Sequence, residues 1–184
     1  MSELGKAEQL KLQELSPVEL PISDLPEDVV ISRGALGSVS ELAHKHLGNK
    51  WFYLADPDTL NACKEAPWLG KGICLPPNPV ADTETVKGIM SELPEGHNLV
   101  AIGSGTINDL AKHASTLLKK PYIAVGTAAS MNGYASGIAA ILDRGLKTTV
   151  NARPPKAIIL DTDVLAKAPL SLTQAGLGDL ISKP

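Results

Sequence analysis

The stretch Val100-Ala-Ile-Gly-Ser-Gly-Thr-Ile-Asn-Asp-Leu-Ala-Lys112, followed after a short helix by Pro121-Tyr-Ile-Ala-Val-Gly-Thr-Ala-Ala-Ser-Met-Asn-Gly133, decides the fold. It reads as a buried strand, a tight Gly-x-Gly turn, a helix, and a second strand that runs into a loop of small residues. Glycines at 103 and 105 remove side chains that would hold a pyrophosphate away from the backbone, and the N–H groups opening the next helix point at such an anion. The loop Thr127 to Ser130 leaves its strand at the same sheet edge, where ligands of open α/β sheets bind. Two small polar loops side by side imply one extended ligand.

Outward from this unit, strands and helices alternate. Val29 to Ser32, Trp51 to Ala55, Gly72 to Leu75 and Asn98 to Ile102 read as strands, with helices predicted over 36–47 and 83–93. Asp56-Pro57 ends the second strand and offers an N-cap to the helix beyond. These strands are continuous apolar runs, which need cover on both faces; the fold class is therefore α/β, a doubly wound, mostly parallel, Rossmann-like sheet. After residue 133 the rhythm changes. Residues 137–142 and 147–150 read as a small antiparallel hairpin beside the nucleotide site, and 156–160 as one more strand. The last segment, about 170–183, has a helical pattern interrupted by Gly176 and Gly178. Residues 1–27, with three prolines, read as an irregular leader.

Composition excludes several function classes. The chain has 184 residues, 43% hydrophobic and 20% charged, with a net charge of -3 and no basic stripe, which argues against nucleic acid as a partner. No run approaches the roughly 18 apolar residues of a membrane span, and the amino terminus lacks a signal-peptide core, so a cytoplasmic location is expected. Cys63 and Cys74 fit no metal spacing and read as ordinary thiols of a reducing compartment. The chain is compatible with a homo-oligomer. A Gly-x-Gly turn alone is a weak signal, and Asn108 stands where a third glycine of the dinucleotide fingerprint would fall.

The three segments Gly103 to Lys112, Thr127 to Ser136 and Ala175-Gly-Leu-Gly-Asp179, in this order and spacing, resemble the sn-glycerol-1-phosphate dehydrogenases of the iron-containing alcohol dehydrogenase and dehydroquinate synthase superfamily. The resemblance covers about residues 28–184. It implies that Gly103, Ser104, Gly105, Thr106 and Ile107 form the pyrophosphate turn of NAD or NADP, and that Thr127, Ala128, Ala129, Ser130 and Ser136 hold the ribose and nicotinamide half. Asp56 matches a position near the adenosine ribose, where a carboxylate favours the 2'-hydroxyl of NAD; a plain helix cap is the other reading. Asp109 and Lys112 either support the turn or form a solvated pair.

The resemblance further implies that Asp179, on a glycine-flanked helix start, is the first ligand of a catalytic divalent metal (Zn, Fe or Ni) and lies by the substrate, a polyol or polyol phosphate. Asn132 falls where many relatives carry an aspartate that contacts the polyol; its amide keeps two hydrogen-bonding ends but is no base. The family completes its metal site with two histidines from a following all-helical domain. His44, His46, His97 and His113 lie far upstream and read as surface residues. The expected organisation is thus a leader over 1–27, a nucleotide-binding domain over 28–168, and over 169–184 the start of a helical domain that is otherwise missing. The implied activity is hydride transfer at a secondary alcohol. The alternatives are a dehydroquinate synthase-like lyase, which the Thr127 to Gly133 loop disfavours, and a stand-alone nucleotide-binding or regulatory module.

Overall fold

Strands that are apolar on both faces require two helical layers, and the alternation of side chains along each strand supplies both. Described in the computed structural model are residues 9–10 and 25–182. Along the chain they form β1 (Gln9–Leu10), β2 (Asp28–Ser32), a 3-10 turn (Ala35–Ser38), α1 (Val39–Leu47), β3 (Trp51–Ala55), α2 (Pro57–Ala62), β4 (Gly72–Cys74) and α3 (Thr83–Glu92). Then follow β5 (Asn98–Gly103), α4 (Gly105–Leu117), β6 (Tyr122–Gly126), β7 (Ile138–Asp143), β8 (Leu146–Asn151), β9 (Ala157–Asp161), α5 (Thr162–Leu165) and α6 (Leu170–Ile181).

Seven strands form one sheet in the order β1-β2-β9-β6-β5-β3-β4. All neighbours are parallel except β1, which runs antiparallel to β2. Leu99 and Ala101 of β5 face α3 and α4, packing with Ile89, Ile107 and Leu110. Val100 and Ile102 face the opposite way, toward Val39, Leu42 and Ala43 of α1 and the Trp68 ring. This is the doubly wound arrangement the apolar strands demand.

Helix boundaries follow local chemistry. Asp56 caps α2 in a reciprocal box, its Oδ1 accepting from the Thr59 N–H at 2.8 Å while the Thr59 hydroxyl accepts from the Asp56 N–H. Asp82 caps α3 through the Thr85 N–H. β7 and β8 form the expected antiparallel hairpin, which packs on α4. The additional strand, β9, enters the main sheet between β2 and β6. Of the leader expected over residues 1–27, residues 1–8 and 11–24 lie outside the described residues, whereas 9–10 pair along the edge of β2. Among the described residues no helix is long and apolar enough to cross a membrane.

Candidate functional site

The strand order locates the site. From β3 the chain moves outward to β4, whereas from β5 it moves the other way, to β6 and then β9. Two neighbouring parallel strands whose connections depart in opposite directions leave a crevice at their carboxyl ends. The register pairs Leu54 with Ala101 and Gly103 with Gly126, so Asp56, the Gly103 turn and the Thr127 loop emerge side by side. The Thr127 N–H donates to the Gly103 carbonyl at 3.2 Å and ties the two loops together.

Helix α4 opens at this edge. Its first intrahelical bond runs from the Asn108 N–H to the Ser104 carbonyl, and no side chain caps it, unlike α2, α3 and α5. The N–H groups of its first turn therefore face the crevice with the positive end of the helix dipole behind them. The glycines of the turn have different reasons. A Cβ at Gly103 would lie 2.6 Å from Ile107 Cβ, so Gly103 lets the helix close on the strand; the expectation that it clears space for an anion is corrected in its case. A Cβ at Gly105 would meet only Met131 Sδ, at 3.7 Å, and otherwise enter the crevice. Gly105 is the glycine that keeps the approach open. Ile107 is a core side chain, 2% exposed, and offers only its amide.

The 127–137 segment is held from beneath by two buried side chains. The Tyr134 hydroxyl lies 2.9 Å from the Ala128 carbonyl and 3.2 Å from the Gly103 carbonyl; with one hydrogen, it donates to one at a time. Burial pushes its phenol well above the usual range. Lys112 is 0% exposed, so the solvated-pair reading of Asp109 and Lys112 is overturned. Its ammonium donates to the Gly133 carbonyl (3.0 Å), the Ser136 hydroxyl (2.9 Å) and the Ile138 carbonyl (2.9 Å). Burial pulls this amine down to about 8 against the opposing charge of Asp109, whose own carboxyl is raised by burial. The Ser136 hydroxyl is thus engaged within the loop, also bonding the Gly133 carbonyl. Thr127 and Ala128 are buried, Ala129 and Asn132 exposed, and Ser130 lies between.

Asp179 reaches the loop from the other side, its Oδ2 accepting from the Asn132 N–H at 2.9 Å. It sits in the last turn of α6; the expected helix start is corrected, because the helix runs through Gly176 and Gly178 without breaking. Gly176 is needed there, since a Cβ would drive into the Ala129 carbonyl oxygen. In this way the sequence brings Asn132 and Asp179 together.

Beside the first turn of α4 lies a groove of about 440 Å³, walled by Gly105, Thr106 and Asp109, by Pro79 to Ala81, and by Ala140, Leu142 and Lys147 of the hairpin. Lys147 was not legible as a site residue, because nothing in the hairpin sequence shows which side the hairpin folds toward. Asp56 stands at the crevice as a helix cap, and its Oδ2 accepts no hydrogen bond from any described residue.

Comparison with known proteins is consistent with this geometry. The model of the family described as iron-containing alcohol dehydrogenase matches residues 30–169. The chain belongs to the iron-containing alcohol dehydrogenase family. Similar proteins include the glycerol-1-phosphate dehydrogenase [NAD(P)+] of Methanosarcina barkeri, 36% identical over 166 residues, covering 86% of this chain and 47% of that protein. Another, of the same name, from Thermococcus sibiricus, is 33% identical over 168 residues, covering 88% and 48%. The chain spans less than half the length of either relative. Glycerol dehydrogenase from Schizosaccharomyces pombe shares the fold, with a TM-score of 0.75 at 23% identity over 90% of this chain and 44% of that one. So does 2-deoxy-scyllo-inosose synthase in complex with carbaglucose-6-phosphate, NAD+ and Co2+, with a TM-score of 0.70 at 19% identity over 84% and 47%.

A metal centre in this iron-containing alcohol dehydrogenase family member needs more donors than the described residues bring together. No group of three or more His, Cys, Asp or Glu side chains among them could hold an ion. His44 is exposed. His46, expected at the surface, is instead buried against Asp28 at the start of β2, away from the crevice, because α1 packs its last turn on that strand. Cys63 is buried and Cys74 exposed, and both are free.

Proposed function

We propose that this chain is the nucleotide-binding part of an NAD(P)-dependent dehydrogenase acting on a polyol or polyol phosphate of the glycerol-1-phosphate type, with residues 169–184 opening a second, helical domain. The observation that carries the reading is the uncapped amino terminus of α4, set at the switch point between β3 and β5 with the Gly105 approach open. The names of relatives at 33 and 36% identity support the substrate class. When bound, the nicotinamide supplies hydride exchange at a secondary alcohol carbon.

The residues of this chain divide the remaining work. Amides of Gly105, Thr106 and Ile107 bind the diphosphate, and Thr106 and Lys147 flank it in the groove. Asp56 Oδ2 accepts from a ribose 2'-hydroxyl. The Ala128 to Ser130 stretch, with Ser136 beneath it, positions the nicotinamide half, and Asn132 offers its amide to a substrate hydroxyl. Asp179 is one carboxylate ligand for a divalent metal whose other ligands would come from outside the described residues. The cytoplasmic location expected from composition forms part of the reading. Titration with NADH, followed by nucleotide fluorescence, tests it: binding competed by ADP-ribose supports the assignment, and no binding of either removes it.

A further inference from the structure

Burying an ammonium group costs several kcal/mol unless its hydrogen-bonding capacity is met, so an interior lysine away from any reacting atom needs a reason. Lys112 is among the largest fully buried side chains of the molecule. Its three donors meet three oxygen acceptors at 2.9 to 3.0 Å, and all three belong to one stretch, the carbonyls of Gly133 and Ile138 and the hydroxyl of Ser136. Between β6 and β7, up to Gly137, no strand or helix holds this stretch. Space-filling alone would be served by a methionine of similar reach.

The position of Lys112 on its helix is informative. It stands seven residues after Gly105, two turns along the same face of α4. The helix that presents its first amides to the crevice therefore also grips the loop that borders the crevice. Neighbouring positions act alike: Asp109 Oδ2 accepts from the Ala140 N–H, and the Thr116 hydroxyl accepts from the Arg153 N–H. One polar edge of α4 holds the backbone from 133 to 153.

We propose that Lys112 is a positioning residue that fixes the span between the diphosphate-binding turn and the Ala128 to Asn132 crown, and so sets how the nicotinamide half of the dinucleotide is held. It touches no ligand; it acts through the carbonyls of Gly133 and Ile138 and the hydroxyl of Ser136. The inference rests on the dinucleotide reading given above, and deepens it.

Two probes separate the two claims. ADP, which ends at the diphosphate, engages only the turn and the Asp56 side, whereas NADH, with its second ribose and nicotinamide, also needs the loop. Wild-type chain is expected to bind both, NADH more tightly. Lys112→Met is expected to lose about tenfold in NADH affinity, the equivalent of one charge-assisted hydrogen bond, while ADP affinity stays within about twofold. Faster amide hydrogen exchange confined to 128–138 should accompany the loss. Parallel loss of both ligands, or no loss of either in a folded variant, overturns the positioning role while leaving the dinucleotide reading in place. Wild-type chain that binds neither ligand overturns both. If Lys112→Met does not fold, Lys112→Gln, which keeps two donors, should show the same split at smaller size, and its absence there is equally decisive.

Discussion

The Asp179 carboxylate accepts a hydrogen bond from the backbone N–H of Asn132 at 2.9 Å. This bond joins α6 to the loop beside the crevice, and it occupies one oxygen of the residue proposed as a metal ligand. One carboxylate plus water is too few ligands for a transition ion in competition with buffer. The 184-residue chain dialysed against Zn2+ should therefore retain well under one equivalent by elemental analysis. In a longer protein that supplies two further ligands, Asp179→Ala should abolish metal retention and polyol oxidation while NADH still binds. Stoichiometric metal on the present chain would show the donor set to be misplaced.

The two glycines of the turn should respond oppositely. Gly105→Val places its side chain in the crevice, and valine is no worse than glycine in a helix, so the fold should hold while NADH affinity falls about tenfold or more. Gly103→Ala must push against Ile107 and should lower stability by roughly 1–3 kcal/mol. Thermal melts read beside NADH titrations would distinguish them, and equal behaviour of the two variants would contradict the assignment.

Asp56 combines a cap with a charge, and asparagine separates them. Asp56→Asn preserves the acceptor for the Thr59 N–H, and asparagine caps about as well as aspartate, so the melting temperature should not move. Removing the charge should relieve repulsion of a 2'-phosphate and raise the NADPH to NADH affinity ratio about fivefold. An unchanged ratio would reduce Asp56 to a helix cap.

Stability should depend on pH through two buried groups of opposite sign. Unfolded chain keeps the Lys112 proton to the ordinary 10.5, whereas folded chain releases it near 8; between these values the unfolded state binds more protons, and stability rises with pH, on the order of 3 kcal/mol in full. Cys63 works the other way, since burial holds its thiol proton to about 11 in the folded state while the unfolded thiol releases it near 9.0. Stability contributed by Cys63 is present below 9 and is lost above it. The melting temperature should thus climb between pH 8 and 9 and then flatten or fall. Lys112→Met should lack the climb, and Cys63→Ala should move the decline upward.

Much of this was legible in sequence because the deciding signals are local. Apolar runs such as Leu99 to Ile102 specify strands covered on both faces, and Asp56-Pro57 specifies a capped helix start. Lys112 was not legible, since its burial comes from the hairpin folding over α4, an event between distant segments. One signal was available: α4 carries only Asp109, Lys112 and His113 as ionisable residues in thirteen, too few for a helix with a broad solvated face. His46 escaped for the same reason, its partner Asp28 lying on a strand eighteen residues away. The glycine pattern around Asp179 was read as a break, whereas Gly176 serves the contact of α6 with Ala129.

The insertion of β9 between β2 and β6 has a consequence for how the chain is made. β2 is complete by Ser32, yet its parallel neighbour begins at Ala157, so on the ribosome one edge of β2 and one edge of β6 wait for the same late segment. Until it arrives the nascent chain exposes two unpaired apolar edges, the kind of surface that recruits chaperones or other nascent chains. Loop closure over such a separation is slow as well as late. The yield of this protein in a cell should accordingly be governed less by the stability of the finished sheet than by the protection of β2 and β6 during that interval.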